Sequence, residues 1–267
     1  MEAISKTLTQ EPLPSKTAAK NPVRWGAAFR ALLALARDND DTTHVFKIVD
    51  ALRGDSERAP LARMKQTPIG RKIIGENRSL LDVLADRERL RALPEDSLGR
   101  TYLAFMETEG LSADGLADAS VEGYGGRRLD PELRTFTTWA RDSHDLWHVL
   151  TGYGRDPLGE LCLLGVLYSQ INSTGTGFIA LLGLLRVPFE YPGAPSIRAV
   201  FQGFRIGRKA ESLMAQDWEA LLARPFEEVR SELGIERPTY YERSRPMHDA
   251  SRSKSRVAVA NAEAMSA

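Results

Sequence analysis

The sequence predicts an all-α protein, a single helical domain with its candidate site on a helix–loop–helix hairpin. Apolar residues recur at three-to-four spacing through most of residues 24–242. No run alternates β-branched with polar residues as a half-buried strand would. Several periodic runs stop at a breaker, among them Pro94, Gly110 and Gly152. In chain order, helices are expected over 25–37, 44–53 and 80–93. Asp96 or Ser97 then caps a helix that presents Leu98, Tyr102, Phe105 and Met106 on one face. Further helices are expected over 132–151, 158–185 and 196–222, with a short one over 226–233.

Residues 1–23 and 243–267 read as flexible and disordered tails around a folded domain of 24–242. Residues 1–22 contain no apolar stretch of signal-peptide type and no Arg, which argues against a secretory or mitochondrial address. Lys+Arg and Asp+Glu are both 36, so no net field recruits nucleic acid or an acidic membrane, which argues against a dedicated nucleic-acid binder and leaves room only for a local basic patch. Only 8 of the 36 basic residues are Lys, a bias assigned to genome composition before function. One cysteine, Cys162, leaves no internal disulfide and no cysteine zinc site, as in a cytoplasmic protein. Residues 161–168 and 178–185 are apolar but are divided by a polar stretch over 169–177. Each run is shorter than the roughly 18 residues a spanning helix needs. The expectation is a central buried helix whose polar middle bonds to neighbours.

Chemistry concentrates in residues 141–160. His144 and His148, two of the four histidines, stand at i and i+4, which places both imidazoles on one helix face with Cβ atoms about 5–6 Å apart. Asp145 lies about 100° round the helix from His144. Gly152 and Gly154 suit the end of that helix. Asp156 caps the next, with Pro157 at its first position. His148 precedes Thr151 by three residues and Glu160 follows Pro157 by three. In an antiparallel hairpin both therefore sit about 4.5 Å from the loop, and Glu160 faces the histidines. Two imidazoles and one or two carboxylates converging on a point make a site for a first-row divalent metal. His144 and His148 supply nitrogens and Glu160 an oxygen. Asp145 either ligates or orients a histidine. The flanking Leu146, Trp147, Val149 and Leu150 mark the segment as buried, where unpaired acids would be costly.

Other metal chemistries fit less well. A zinc protease needs H-E-x-x-H, and Asp145 stands where the glutamate would be, with no strand to hold a peptide. An HD-type phosphohydrolase needs a further upstream histidine, for which only His44 is available, and does not require His148 or Glu160. A di-iron bundle needs Glu-x-x-His on two helices, which this chain lacks. His44 and His248 are given no role, and Cys162 reads as a small core residue.

His144, Asp145, His148 and, after eleven intervening residues, Glu160 resemble the H-D-x-x-H-(x11)-E signature of the coenzyme Q biosynthesis protein four family. The surrounding residues 143–152 match its core segment, and residues 93–102 resemble an upstream L-P-x-x-S-L-G-x-x-Y phrase. The likeness covers about residues 75–235. It implies a helical protein, peripheral to the inner (cytoplasmic) membrane, with a divalent metal that is Zn2+ in the usual description; two histidines and a carboxylate also match the facial triad of iron oxygenases, which makes Fe2+ the alternative. It further implies action on a polyprenylated 4-hydroxybenzoate-type precursor of ubiquinone, whose C1 carboxylate is replaced by hydroxyl. A non-catalytic, polyprenyl-binding scaffold for the other pathway enzymes is the alternative. The expected partners are that aromatic precursor, other ubiquinone-biosynthesis enzymes, a membrane surface and further copies of the chain. Arg141 is a candidate for the substrate carboxylate, and Leu164, Tyr168 and Leu181 for an apolar groove along the helix after Glu160.

Overall fold

Short polar side chains set where the helices begin. In the computed structural model, which describes residues 22–35, 37, 42–113 and 130–245, Ser97 Oγ accepts from the Arg100 amide at 3.2 Å and Asp130 Oδ1 from that of Leu133 at 3.0 Å. Thr67 and Asp86 cap their helices in the same way. Each cap satisfies an amide that a first helical turn leaves without a partner.

The helices are α1 (Trp25–Leu35), α2 (Thr42–Leu52), α3 (Arg58–Met64), α4 (Pro68–Gly75), α5 (Leu81–Ala85), α6 (Arg87–Arg91) and α7 (Leu98–Thr108). After the undescribed segment come α8 (Pro131–Asp142), α9 (His144–Thr151), α10 (Pro157–Ile171), α11 (Thr174–Glu190) and α12 (Ser196–Lys209). A 3-10 turn (Leu213–Ala215), α13 (Trp218–Leu221) and α14 (Phe226–Glu232) follow. The described residues contain no strand, only an isolated bridge between Ser97 and Pro225, so the all-α expectation holds. Apart from residues 22–23 and 243–245, the expected tails lie outside the described residues, as does His248.

Four expected helices are divided. The one over 80–93 breaks at Asp86, whose ψ of 82° leaves the helical region so that its side chain can cap α6. The one over 132–151 breaks at Ser143, which ends α8 and starts α9; its hydroxyl bonds back to the Trp139 carbonyl at 2.8 Å. The one over 158–185 breaks at Asn172, which is left-handed (φ 56°), and its second half runs on through Pro188 to Glu190. The one over 196–222 ends at Lys209. Helices α3 and α4 were not expected from the periodicity. Each spans two turns or so, and they contain Pro60 and Gly70, both poor helix formers.

Helix α10 is the centre of the arrangement, with Leu158, Cys162, Leu163 and Val166 almost wholly buried. Helix α12 runs beside it in near-backbone contact. A Cβ on Gly203 would lie 2.3 Å from the Cys162 carbonyl oxygen, and one on Gly207 2.7 Å from that of Val166. Helix α11 runs back along α10, with Leu161 against Gly183 and Tyr168 against Gly177. The polar middle expected of a single long helix serves the break and its surroundings. Gln170 donates to the Gly207 carbonyl and accepts from the Leu213 amide, while Ser173 bonds to the buried Glu57. Helices α1 and α2 share a small separate cluster of Ala28, Ala31, Ile48, Ala51 and Leu52, against which Phe178 and Ile179 of α11 pack. No helix among the described residues is long and apolar enough to cross a membrane.

Candidate metal centre

Helix α9 is anchored by apolar side chains and aimed by polar ones. Leu146, Trp147 and Leu150 are fully buried, each contributing about 1.5–3 kcal/mol to holding the helix down. Gly152, at φ 75°, ends it in a left-handed cap that a β-carbon would strain. The chain then turns through Tyr153–Asp156 into α10, and the two ends of this loop touch. A Cβ on Gly159 would stand 2.0 Å from the Gly154 carbonyl oxygen, so only glycine fits there.

Asp156 ties the loop to distant parts of the chain. Its carboxylate accepts from the Gly159 amide at 3.2 Å, from the Tyr191 hydroxyl at 3.2 Å and from the Tyr241 hydroxyl. In turn the Tyr191 hydroxyl accepts from the Leu158 amide at 3.2 Å, and that of Tyr241 from the Gly154 amide at 2.8 Å. Loop and α10 are thereby set at a fixed angle to α9.

The histidines face one another edge to face, 4.7 Å apart. His148 Nδ1 lies 3.0 Å from the Tyr153 carbonyl oxygen, which can only accept, so that hydrogen bond assigns the proton to Nδ1 and leaves a lone pair on Nε2. His144 Nδ1 meets Asp145 Oδ1 at 3.2 Å, which assigns the same tautomer there. Both Nε2 atoms then face Glu160 Oε2, at 3.5 Å from His148 and 3.9 Å from His144. Helix α7 closes one wall, with Phe105 stacked on the His148 ring at 5.9 Å. Helix α7 itself is seated by the 93–102 segment, where the Leu98 and Gly99 amides bond to the Arg224 and Leu222 carbonyls at 2.9 and 2.8 Å.

Two nitrogen lone pairs and a carboxylate oxygen repel unless a positive charge sits between them. Without a metal, a proton can take that place. Burial opposes charge on His144, but the Asp145 hydrogen bond and the Glu160 charge outweigh it and raise the imidazole above its ordinary value. Burial likewise works against Asp145 and Glu160, yet the two imidazoles, with Arg155, hold both carboxyls below theirs. His148 Nε2 is buried and makes no hydrogen bond, the condition of an atom shaped for a ligand. Single ligand atoms of His144, Asp145 and His148 lie within 4.8 Å of one another, a spacing that could hold a metal ion. The residues therefore fit a divalent metal. His148 has no exposed side-chain surface and Glu160 is 36% exposed, so the open side is at Glu160.

The four motif residues predicted from sequence come together as the hairpin count requires. Arg141 is engaged elsewhere, its guanidinium bonded to Asp142 at 2.6–2.8 Å. The cation beside Glu160 is Arg155, at 3.7 Å. Leu164 and Tyr168 are half-buried on α10, with Tyr168 stacked near Phe204, whereas Leu181 stands exposed on α11. His44 lies on α2 and is not among the converging ligand atoms. Cys162 is buried, and burial pushes its thiol pKa well up, as expected of a core residue. Sequence reasoning missed Phe105, Arg155, Tyr191 and Tyr241. Arg155 was adjacent to the motif and could have been weighed, as the Asp156 cap was. The two tyrosines carried no local signal.

A helical fold that gathers His144, Asp145, His148 and Glu160 at one hairpin defines the class: a helical protein with a site that could hold a metal ion. Residues 12–239 match the family described as coenzyme Q (ubiquinone) biosynthesis protein Coq4, and the chain belongs to that family. It is similar to the mitochondrial ubiquinone biosynthesis protein COQ4 of Yarrowia lipolytica, 29% identical over 184 residues, 66% of this chain and 65% of that one. The corresponding Botryotinia fuckeliana protein is 32% identical over 177 residues, 66% of this chain and 60% of that one. The matches thus span less than two thirds of these relatives' length. A crystal structure of a Nostoc punctiforme protein shares the fold at TM-score 0.59 and 22% identity, covering 79% of this chain and 96% of that one.

Proposed function

We propose that this chain uses a divalent metal to replace the C1 carboxylate of a polyprenylated 4-hydroxybenzoate-type ubiquinone precursor by hydroxyl. The observation that carries the reading is the convergence of His144 Nε2, His148 Nε2 and Glu160 Oε2, with His148 Nε2 buried and unbonded. Zn2+ is the metal the resemblance implies and Fe2+ the alternative. On this reading His144, His148 and Glu160 are the ligands. Asp145, bonded to His144 Nδ1, orients that ring from outside the ligand set. Three protein ligands leave positions open for substrate, as catalytic sites do. When bound, the metal supplies Lewis-acid stabilisation of charge developing on the substrate carboxylate or phenolate.

The chain's own residues do the positioning. Tyr153 and Asp145 hold the two imidazoles in register, and Phe105 walls off the His148 face. Arg155, at the partly exposed Glu160 side, is placed to meet an incoming carboxylate. Arg141 supports the end of α8 through Asp142. The exchange at C1 is a two-electron oxidation. The C1–carboxyl bond breaks and the carboxyl group leaves as carbon dioxide, while one atom of dioxygen forms the new C1–oxygen bond and the other leaves as water, reduced by two electrons from an external reductant. A polyprenyl tail is too apolar for water, so the substrate is met at a membrane surface, to which the protein binds peripherally.

The test is turnover of a short-prenyl 4-hydroxybenzoate by the metal-loaded protein, read as carbon dioxide released together with C1-hydroxylated product. Release of both, absent in His148→Ala, supports the reading. A metal-loaded protein that binds the analogue without releasing carbon dioxide favours the scaffold instead.

A further inference from the structure

The face of the molecule formed by α1, α11 and α12 is apolar, exposed and short of acidic residues. On α11, Leu181, Leu185 and Phe189 follow at i, i+4 and i+8 and are 55, 64 and 85% exposed. On α1, Trp25, Phe29 and Leu33 repeat that spacing, and on α12 Ile197 and Phe201 do, all exposed. These stripes join. Trp25 meets Phe178 edge to face at 6.1 Å, and Phe178 is on the Leu181–Phe189 side of α11. At the other end, Pro188, Ile197 and Arg198 line one hollow of about 390 Å³ with Tyr191. A stripe of this kind on three consecutive surfaces is too extended to be scattered surface leucines, and it marks an interaction face.

One end of the face lies at the level of the metal centre. Because α11 runs antiparallel to α10, with Tyr168 against Gly177 and Leu161 against Gly183, Leu185 and Phe189 continue toward the end of α10 that bears Glu160. Helix α12 runs parallel to α10, with Gly203 over Cys162, so Ile197 and Phe201 fall at that same end. Tyr191, which lines the hollow, is the residue whose hydroxyl holds Asp156 and Leu158 in the loop before Glu160.

Charge selects the occupant. These three helices hold six of the 36 basic residues (Arg30, Arg186, Arg198, Arg205, Arg208 and Lys209) and one of the 36 acidic ones, Glu190. Arg186 bridges to Glu190, and Arg205 and Lys209 share Glu236, which leaves the face net positive on a chain of zero net charge. A two-fold contact between copies would set this positive surface against itself. Aromatic and leucine side chains among arginines match the boundary of an anionic bilayer, where rings sit at headgroup depth and cations meet lipid phosphates. We infer that α1, α11 and α12 form the surface by which this protein docks on anionic lipid membranes, with the metal hairpin held at the bilayer boundary. The inference deepens the preceding reading, in which the protein meets its substrate at a membrane, by naming the surface that docks there.

The full-length protein is mixed with vesicles of phosphatidylcholine, with or without phosphatidylglycerol. Sedimentation and tryptophan emission are both read. Trp25 is exposed while Trp139, Trp147 and Trp218 are fully buried, so a blue shift on vesicle addition reports this face. Binding to phosphatidylglycerol vesicles with a blue shift is expected, weakened by salt and by Arg198→Glu. The pair Leu185→Asp and Phe189→Asp, both at exposed positions, should keep the helical circular dichroism and lose binding by at least about tenfold. Equal binding by that double variant, no binding by the wild type, or a blue shift that grows with protein concentration without vesicles would each overturn the inference, the last assigning the face to a second copy. His148→Ala should bind vesicles as the wild type does. A wild type that binds them yet turns over no substrate supports the docking face and removes the catalytic reading.

Discussion

Helix α10 takes part in two hairpins built on opposite terms. At its N-terminus, the α9–α10 turn is made of polar contacts, with Asp156 gathering two amide-bonded tyrosines and Gly159 seated against a carbonyl. At its C-terminus, the α10–α11 turn hinges on one left-handed residue, Asn172, whose neighbours Gln170 and Ser173 bond outward to other segments, while the two helices meet through side chains laid over Gly177 and Gly183. The first hairpin orients reactive groups; the second lays an apolar helix back along the first. The difference teaches that hydrogen bonds, being directional, are used where atoms must be aimed to within tenths of an ångström. Non-directional packing suffices where a surface only has to be placed.

The strongest way to break this contrast is at the site itself. His148→Ala should lose stoichiometric metal and all turnover while keeping its helical circular dichroism; elemental analysis that still finds full metal would remove His148 from the ligand set. Next in size, Asp145→Ala should weaken metal affinity by about 10–100-fold, the usual cost of losing a partner that orients a ligand, as measured by competition with a chelator. A drop as severe as that of His148→Ala would make Asp145 a ligand.

Acid should act through the same groups. The His144 pKa is raised in the metal-free site by Asp145 and Glu160 despite burial, so a proton competes with the metal. Metal affinity is expected to be full above that raised value and to fall as pH drops through it, with protons released on binding. Calorimetry in buffers of different ionisation enthalpy checks this, and binding without proton release would contradict it.

Smaller effects separate the two turns. Gly159→Ala should cost about 1–3 kcal/mol in thermal or denaturant unfolding and also weaken metal binding, because relief of the clash with Gly154 displaces Glu160. Asn172→Ala should cost up to about 1 kcal/mol, because alanine lacks the short polar side chain that lets asparagine tolerate left-handed backbone, and leave metal stoichiometry unchanged. A metal defect in Asn172→Ala would show the two hairpins to be coupled.

Much of the metal centre was legible because its parts are local. The i, i+4 histidines need only one helix, and Glu160 needs one short turn flagged by Gly152, Gly154 and the Asp156–Pro157 cap. The divided helices were harder to see. Ser143 and Asp86 are not strong breakers, and their departures from helix are stabilised by a back-bond to Trp139 and a cap on Arg89. The run over 158–185 reads as one helix because its polar stretch over 169–177 fits a buried polar middle equally well; the chain turns within that stretch, at Asn172.

By itself, the sequence determined the helical class and the hairpin that brings His144, His148 and Glu160 level, because these follow from helical rise and from caps within a few residues. Only the tertiary structure decided that Tyr191 and Tyr241, 35 and 85 residues from Asp156, lock the loop. It also decided that Arg155 rather than Arg141 stands beside Glu160, and that Leu181, Leu185 and Phe189 face outward. Which side of an apolar helix is covered depends on the neighbours that reach it, and that information is spread over the whole chain rather than written in the helix.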